Sequence, residues 1–205
     1  MQKRFAIVAL ASIAGTALAE GSVILPEEGS ISRSEGQAAF ERIYEVVTHP
    51  RCANCHVGDD NIPMWSGPSY GAPRPHGMNI NAGESRIGAE FLPCQTCHVV
   101  SDDFNTAPHA APRFGIAWQL APVEFEWFGK SRAEICAQLK DPERNGGRDW
   151  RGMVEHLEHD ASLNGPVAWG WSPGAGREPA PYSLDGHIND MALWGAAGQP
   201  CPSGE

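Results

Sequence analysis

Apolar side chains fall on one helical face in four separate stretches, and elsewhere the pattern breaks up. Phe40, Ile43, Val46 and Val47 recur at helical spacing. Ser34 and Gln37 ahead of them have the spacing of a capping box and predict where that helix starts. Pro50 predicts where it stops. Ser131 and Glu134 form a second such pair, followed by the stripe Ile135, Cys136 and Leu139, which ends before Pro142. Asp149 can cap a helix carrying Trp150, Met153, Val154 and Leu157 at i, i+3, i+4 and i+7. A last helix, about 184–197, has Leu184, Ile188, Met191 and Trp194 on one side and a glycine at its end.

Between these stretches, residues 57–93 and 99–124 are crowded with Gly and Pro, which predicts ordered loop with at most one short helical turn. Residues 163–182 form a Gly/Pro/Trp loop, and residues 20–32 a flexible polar leader. No alternating pattern is long enough for a useful strand. The expectation is a mainly α, loop-rich chain with little or no sheet, its folded unit covering residues 33–205.

Lys3 and Arg4, the apolar run Phe5 to Ala14 and Ala17-Leu18-Ala19 have the order of a secretory signal, residues 1–19. The alternative is an uncleaved anchor. No later segment is apolar enough to span a membrane. Export predicts a periplasmic protein. Once Lys3 and Arg4 are gone, 13 of the 15 basic side chains stand against 25 acidic ones, a formal charge of −12. That surface disfavours nucleic acid and suits a partner with a basic patch.

The chain has 23 Gly and 17 Pro, so it needs something besides its own side chains to build a core. Seven Trp stand ready to pack on whatever that is. Either large apolar cofactors or a disulfide set among the six Cys would serve.

Cys52-Ala53-Asn54-Cys55-His56 and Cys94-Gln95-Thr96-Cys97-His98 are both C-x-x-C-H, the attachment signature of haem c. Two Cys three apart on a helical turn project to one side, where they can form thioethers with the two vinyl groups of one porphyrin. The next residue offers its imidazole to the iron, provided its other ring nitrogen is held, usually by a backbone carbonyl. Two C-x-x-C pairs could instead hold one structural zinc, but a His follows both, and c-type attachment requires export. Redox disulfides in the pairs would leave both His unexplained. The motifs expect two covalent haems c, anchored by Cys52, Cys55, Cys94 and Cys97, with His56 and His98 as proximal ligands. Cys136 and Cys201 lie outside both motifs, and in an oxidising compartment they are expected to pair.

The sixth ligand of each iron controls function, because bis-His ligation gives lower potentials than His/Met and an open site permits chemistry. The candidates are His49, His76, Met78, His109, His156, His159, His187 and Met191. His49, only about 10 Å of chain before Cys52, is awkward for its own ring. His76 stands in a rigid loop between the motifs. His156 and His159 fall on the polar side of their helix, and His187 borders an apolar face. The ranking is His76, then His159, then His187 and Met191. The motifs start only 42 residues apart, which leaves no room for two separate cytochrome domains. The two haems are expected to share one unit, with Trp118, Trp127, Trp169 and Trp171 against the rings or in an ordinary aromatic core.

His49 to His56, Arg74-Pro75-His76, the second motif, Glu134 to Pro142, Asn145-Gly146-Gly147-Arg148, His159-Asp160 and Val167 to Pro179 together resemble the small dihaem proteins labelled isoquinoline 1-oxidoreductase subunits. The resemblance spans about residues 40–202. It implies a molybdenum hydroxylase as redox partner, and it supports His76 and His159 as distal ligands. The chain departs after His109, where Trp118-Gln119 stands in place of a Trp-His pair. The reading that emerges is a dihaem electron carrier, a non-catalytic subunit working with a dehydrogenase or hydroxylase. The alternatives are a small dihaem peroxidase or haem sensor with one open iron, and a zinc-stapled binding protein.

Overall fold

The computed structural model describes residues 23–66, 72–89, 92–104, 107, 110–174 and 176–202. The expected signal segment and His109 lie outside them. The chain is mainly helical: α1 (Arg33–Thr48), α2 (Pro50–Ala53), α3 (Arg132–Lys140), α4 (Trp150–Ser162), α5 (Pro166–Trp171) and α6 (Leu184–Ala196). Two antiparallel pairs of two-residue strands interrupt the middle, β1 (Met64–Trp65) with β2 (Arg74–Pro75) and β3 (Gly88–Ala89) with β4 (Leu92–Pro93). Among the described residues no helix is long and apolar enough to cross a membrane.

The capping box of α1 lies two residues before the expected pair. Ser32 Oγ accepts from Glu35 N at 3.2 Å, and Ser32 N donates to the Glu35 carboxylate at 3.1 Å. Glu35 wins over Gln37 because a carboxylate both accepts the bond and complements the positive end of the helix. Pro50 does end α1, but it also opens α2 at a position where no N–H is missed.

Residues 163–182 are not wholly loop. Gly165 contributes no capping side chain to α5. The cap comes from Asp160 on α4, which accepts from Val167 N at 3.0 Å and Ala168 N at 3.1 Å. A cap supplied by a neighbouring helix leaves no local sequence pattern. Asp160 also explains Gly165, since a Cβ there would run into its carboxylate.

The core lies where α1, α4 and α6 meet, with α3 alongside. Phe40, Ile43, Ile135, Val154, Ile188 and Trp194 are buried together. Arg42 grips Asp190 through Nε and Nη2, at 2.9 and 2.6 Å, fastening α1 to α6. Two glycines permit close approach, Gly36 against Ala197 and Gly195 against the Trp150 ring. Cys136 and Cys201 form a disulfide that ties α3 to the C-terminal tail.

Residues 23–32, expected as a flexible leader, lie along this bundle. Val23 N donates to Glu158 at 2.7 Å, Gly29 N donates to Ala196 O at 2.7 Å, and Glu28 pairs with Arg151 at 3.3 Å. Val23 and Ile31 add apolar contact, so the segment gains burial that its polar composition conceals.

Replacing Gly195 by Ala forces the new methyl into the Trp150 ring. The substitution should lower the stability of the protein by about 1–3 kcal/mol, read as a drop in thermal midpoint. Ala at the exposed Gly77 would produce no such loss, since a Cβ there meets nothing within 4 Å and the backbone is not left-handed.

Candidate functional site

The two Cys-x-x-Cys-His segments fold into the same local turn. In the first, Cys55 N and His56 N both donate to Cys52 O, at 3.2 and 3.3 Å. In the second, Cys97 N and His98 N both donate to Cys94 O, at 3.2 and 2.9 Å. One helical turn brings residues i, i+3 and i+4 to one side. Cys52, Cys55, Cys94 and Cys97 are all free thiols.

Each turn ends on an imidazole held in the same way. His56 Nδ1 lies 2.8 Å from Phe125 O, and its ring stacks on Trp127 with centroids 3.4 Å apart and planes 5° apart. His98 Nδ1 lies 2.9 Å from Pro112 O, and its ring stacks on Trp118 at 4.0 Å and 28°. A carbonyl can only accept, so in both rings Nδ1 is assigned the proton and Nε2 keeps its lone pair. Burial pushes the His56 pKa down to about 4, against the opposing pull of the Phe125 carbonyl. Burial likewise lowers that of His98, with the Pro112 carbonyl opposing. Both rings are therefore neutral near pH 7.

The turns face each other across a cavity of about 320 Å³. Cys55 lines it from the first motif, and Cys94, Cys97 and His98 from the second. Cys55 and Cys94 also pack on one aromatic cluster, Phe114, Trp118 and Trp169. Trp118 lies edge-on to Trp169 at 6.4 Å. Burial raises the Cys52 thiol to about 12 and the Cys55 thiol to about 11, and raises that of Cys94. Such thiols are protonated, the reverse of the activated cysteine of a disulfide oxidoreductase.

Arg86 braces the first motif from behind. Its guanidinium donates to Val57 O at 2.8 Å, Gly58 O at 3.0 Å and Asn61 Oδ1 at 2.9 Å. Nothing in the local sequence marks it for this, because its partners lie more than 20 residues away.

The other sequence candidates divide sharply. His76 lines the cavity, its Nδ1 2.9 Å from Gly77 O and its ring centroid 6.0 Å from that of His98. Met78 lines the cavity too, but it is 79 % exposed. His159 and His156 stand exposed on α4, and neither is in the cavity wall. The polar side of that helix is not all solvent: burial lowers the His156 pKa, and His156 lies near enough to His56 to lower its pKa too, whereas His159 lines neither motif's cavity face. His49 caps α2, its Nδ1 accepting from Arg51 N at 3.3 Å. Met191 is core. Among the described residues, no group of three or more His, Cys, Asp or Glu side chains converges as a metal cluster would.

His187 on α6 is 5 % exposed, its ring 5.4 Å from that of Trp171. Its Nδ1 is buried with no hydrogen-bond partner among the described residues. Compared with known proteins, the chain matches no family model, no curated protein and no solved structure.

Burial alone pushes the His187 pKa down to about 4. An unfolded imidazole titrates near 6.5, so between those values the unfolded chain binds the extra proton. The contribution is fully present above about pH 6.5 and is lost as pH falls to 4, in total on the order of 3 kcal/mol. His187→Leu should flatten this part of the stability–pH curve, as measured by denaturant midpoints at about pH 7.5 and 4.5.

Proposed function

We propose that this protein is a periplasmic dihaem c-type cytochrome that relays electrons. One observation carries the reading. Both Cys-x-x-Cys-His turns leave two unpaired thiols beside an imidazole whose Nδ1 is tied to a main-chain carbonyl and whose ring is clamped by an indole. That is the constraint an iron-binding His needs, since the carbonyl fixes the tautomer and the stack fixes the ring, leaving Nε2 for the metal.

The donor set fits haem better than its rivals. A structural zinc needs four convergent ligands, and the described residues offer no such group. A haem iron asks the chain for only one or two nitrogen or sulfur ligands. Cys52, Cys55, Cys94 and Cys97 would carry the thioethers, and His56 and His98 the proximal bonds. Two haems c would supply one-electron cycling between ferrous and ferric iron. The aromatic wall shared by Cys55, Cys94 and the His98 ring supports direct exchange between the two centres.

His76 is the distal ligand that the geometry supports at the second motif. It lines the same cavity as His98 with their ring centroids 6.0 Å apart, so it would be placed to hold the iron together with His98. His159 receives no such support. The first motif keeps a second reading alive: among the described residues the rings packed on His56 are those of Phe125 and Trp127, and His156 acts on it only through its charge. An open iron there would make the protein a small dihaem peroxidase or sensor.

The surface charge suits a redox partner with a basic patch, electrons arriving from a dehydrogenase or hydroxylase and leaving to a further acceptor. A molybdenum hydroxylase is the partner implied by resemblance to the isoquinoline 1-oxidoreductase subunits.

Protein matured by c-type machinery should gain the mass of two haems and show a low-spin Soret spectrum. His76→Ala should turn one haem of the two high-spin and open to carbon monoxide. A bare polypeptide mass would end the proposal. Carbon monoxide binding to the unaltered reduced protein would shift it to the peroxidase or sensor reading.

A further inference from the structure

The two Cys-x-x-Cys-His turns have the same shape but opposite surroundings. A valine follows each, Val57 after the first and Val99 after the second. Val57 is 3 % exposed and Val99 54 %. The residues between the thiols divide in the same way, Ala53 and Asn54 buried, Gln95 and Thr96 exposed. Of the four motif cysteines only Cys97 is exposed. The first turn faces the interior, and the second stands at the surface.

Ile87 and Val100 are exposed together with Val99. Ile87 O accepts from Cys94 N at 3.1 Å, which sets Ile87 beside the second motif. The backbone next to these side chains is fixed: Leu120 N donates to Arg86 O at 2.9 Å, and Ser101 N donates to Phe114 O at 3.0 Å. None of the three lines the cavity, so a porphyrin seated there does not account for them. Apolar side chains exposed singly need no explanation, but a fixed group of them beside a redox centre has the make-up of a contact surface.

Charge selects the occupant. Glu84, Asp102 and Asp103, each within three residues of Ile87 or Val100, are exposed. Across the described residues 84–89 and 92–104 the one Lys or Arg is Arg86, which is 7 % exposed and turned toward carbonyls after the first motif. A second copy of the chain would set acid against acid. A protein whose apolar patch is ringed by lysines or arginines meets opposite charge.

We infer that the surface around Cys97, with Ile87, Val99 and Val100 at its centre and Glu84, Asp102 and Asp103 at its rim, docks a redox protein of that basic kind, so that electrons pass in and out at the second motif and reach the first only through it. The inference rests on the dihaem reading. At contact one electron crosses between the partner's centre and the iron held by His98. One is oxidised as the other is reduced, and no bond is made or broken. Such encounters bury little area, which suits three apolar side chains and a charged rim.

The test mixes the reduced holo-protein, in stopped flow, with ferric mitochondrial cytochrome c as the basic redox probe. Haem count by mass is read first, and a wild type without haem would end the dihaem reading itself. With two haems present, Asp102→Lys and Asp103→Lys should each slow the second-order oxidation about 3–10-fold at low ionic strength. The deficit should shrink at high salt. Val99→Ser should slow the reaction at both ionic strengths, and the midpoint potentials of all these variants should stay unchanged. Asp59→Lys, at an exposed position three residues after His56, should change the rate by less than about twofold. A rate lowered as much by Asp59→Lys as by Asp103→Lys would overturn the inference, since the port would then lie at the first motif or the steering would come from net charge alone. So would wild-type rates in both Asp102→Lys and Asp103→Lys. So would a wild-type dimer that Val99→Ser turns into a monomer, because the patch would then receive a second copy. If Val99→Ser fails to load two haems, the contrast between Asp103→Lys and Asp59→Lys decides alone.

Discussion

Everything in the middle of this molecule depends on how two imidazoles are gripped. Among the described residues from Asn54 to Lys130 there are two minimal strand pairs and two small apolar clusters, one of Val57, Ala82 and Leu120 and one in which Phe114 and Trp118 meet Trp169, both much smaller than the helical core. What gives it shape is a pair of matching clamps. The carbonyls of Phe125 and Pro112 fix His56 and His98, and Trp127 and Trp118 press on their rings. The first clamp also joins the loops to the bundle, because His56 O accepts from Trp127 N and Phe128 N and Trp127 packs on the helical core. An imidazole that is buried, neutral and singly hydrogen-bonded is a poor stabiliser by itself but a good ligand.

The helical bundle has a different logic. It is built of apolar contact, two close-approach glycines, the Arg42–Asp190 pair and the disulfide, and it owes nothing to the cavity. Its role toward the site is positional. Asp160 caps α5, and α5 carries Trp169 into the cavity wall. Charge is handled unequally in the two halves: Arg42 pairs with Asp190 where the helices meet, whereas Arg51 and Arg177 beside the cavity donate to main-chain carbonyls, with Glu178 near enough to pull on Arg51.

The helices were legible wherever the signal was local. The box at Ser131/Glu134, the cap at Asp149 and the stripe of α6 all lie where spacing predicts them. The start of α1 was misplaced because Ser32 and Ser34 both lie within reach of a plausible third-position partner, and only the carboxylate of Glu35 separates them. α5 was invisible because its cap is borrowed from α4. Among the candidate ligands, a helical wheel alone could place His159 on a polar face, but no wheel could bring the His76 loop to 6.0 Å from His98.

What the sequence by itself determined is the chemistry on offer: two thiol pairs, each followed by an imidazole, and a helical frame at either end. These follow from spacing along a turn, which short-range backbone geometry enforces. Only the tertiary structure decided which carbonyls and indoles hold those imidazoles, which of the remaining His faces them, and that Arg51 and Arg177 share one wall. Such pairings join residues far apart in the chain, and no periodicity records them.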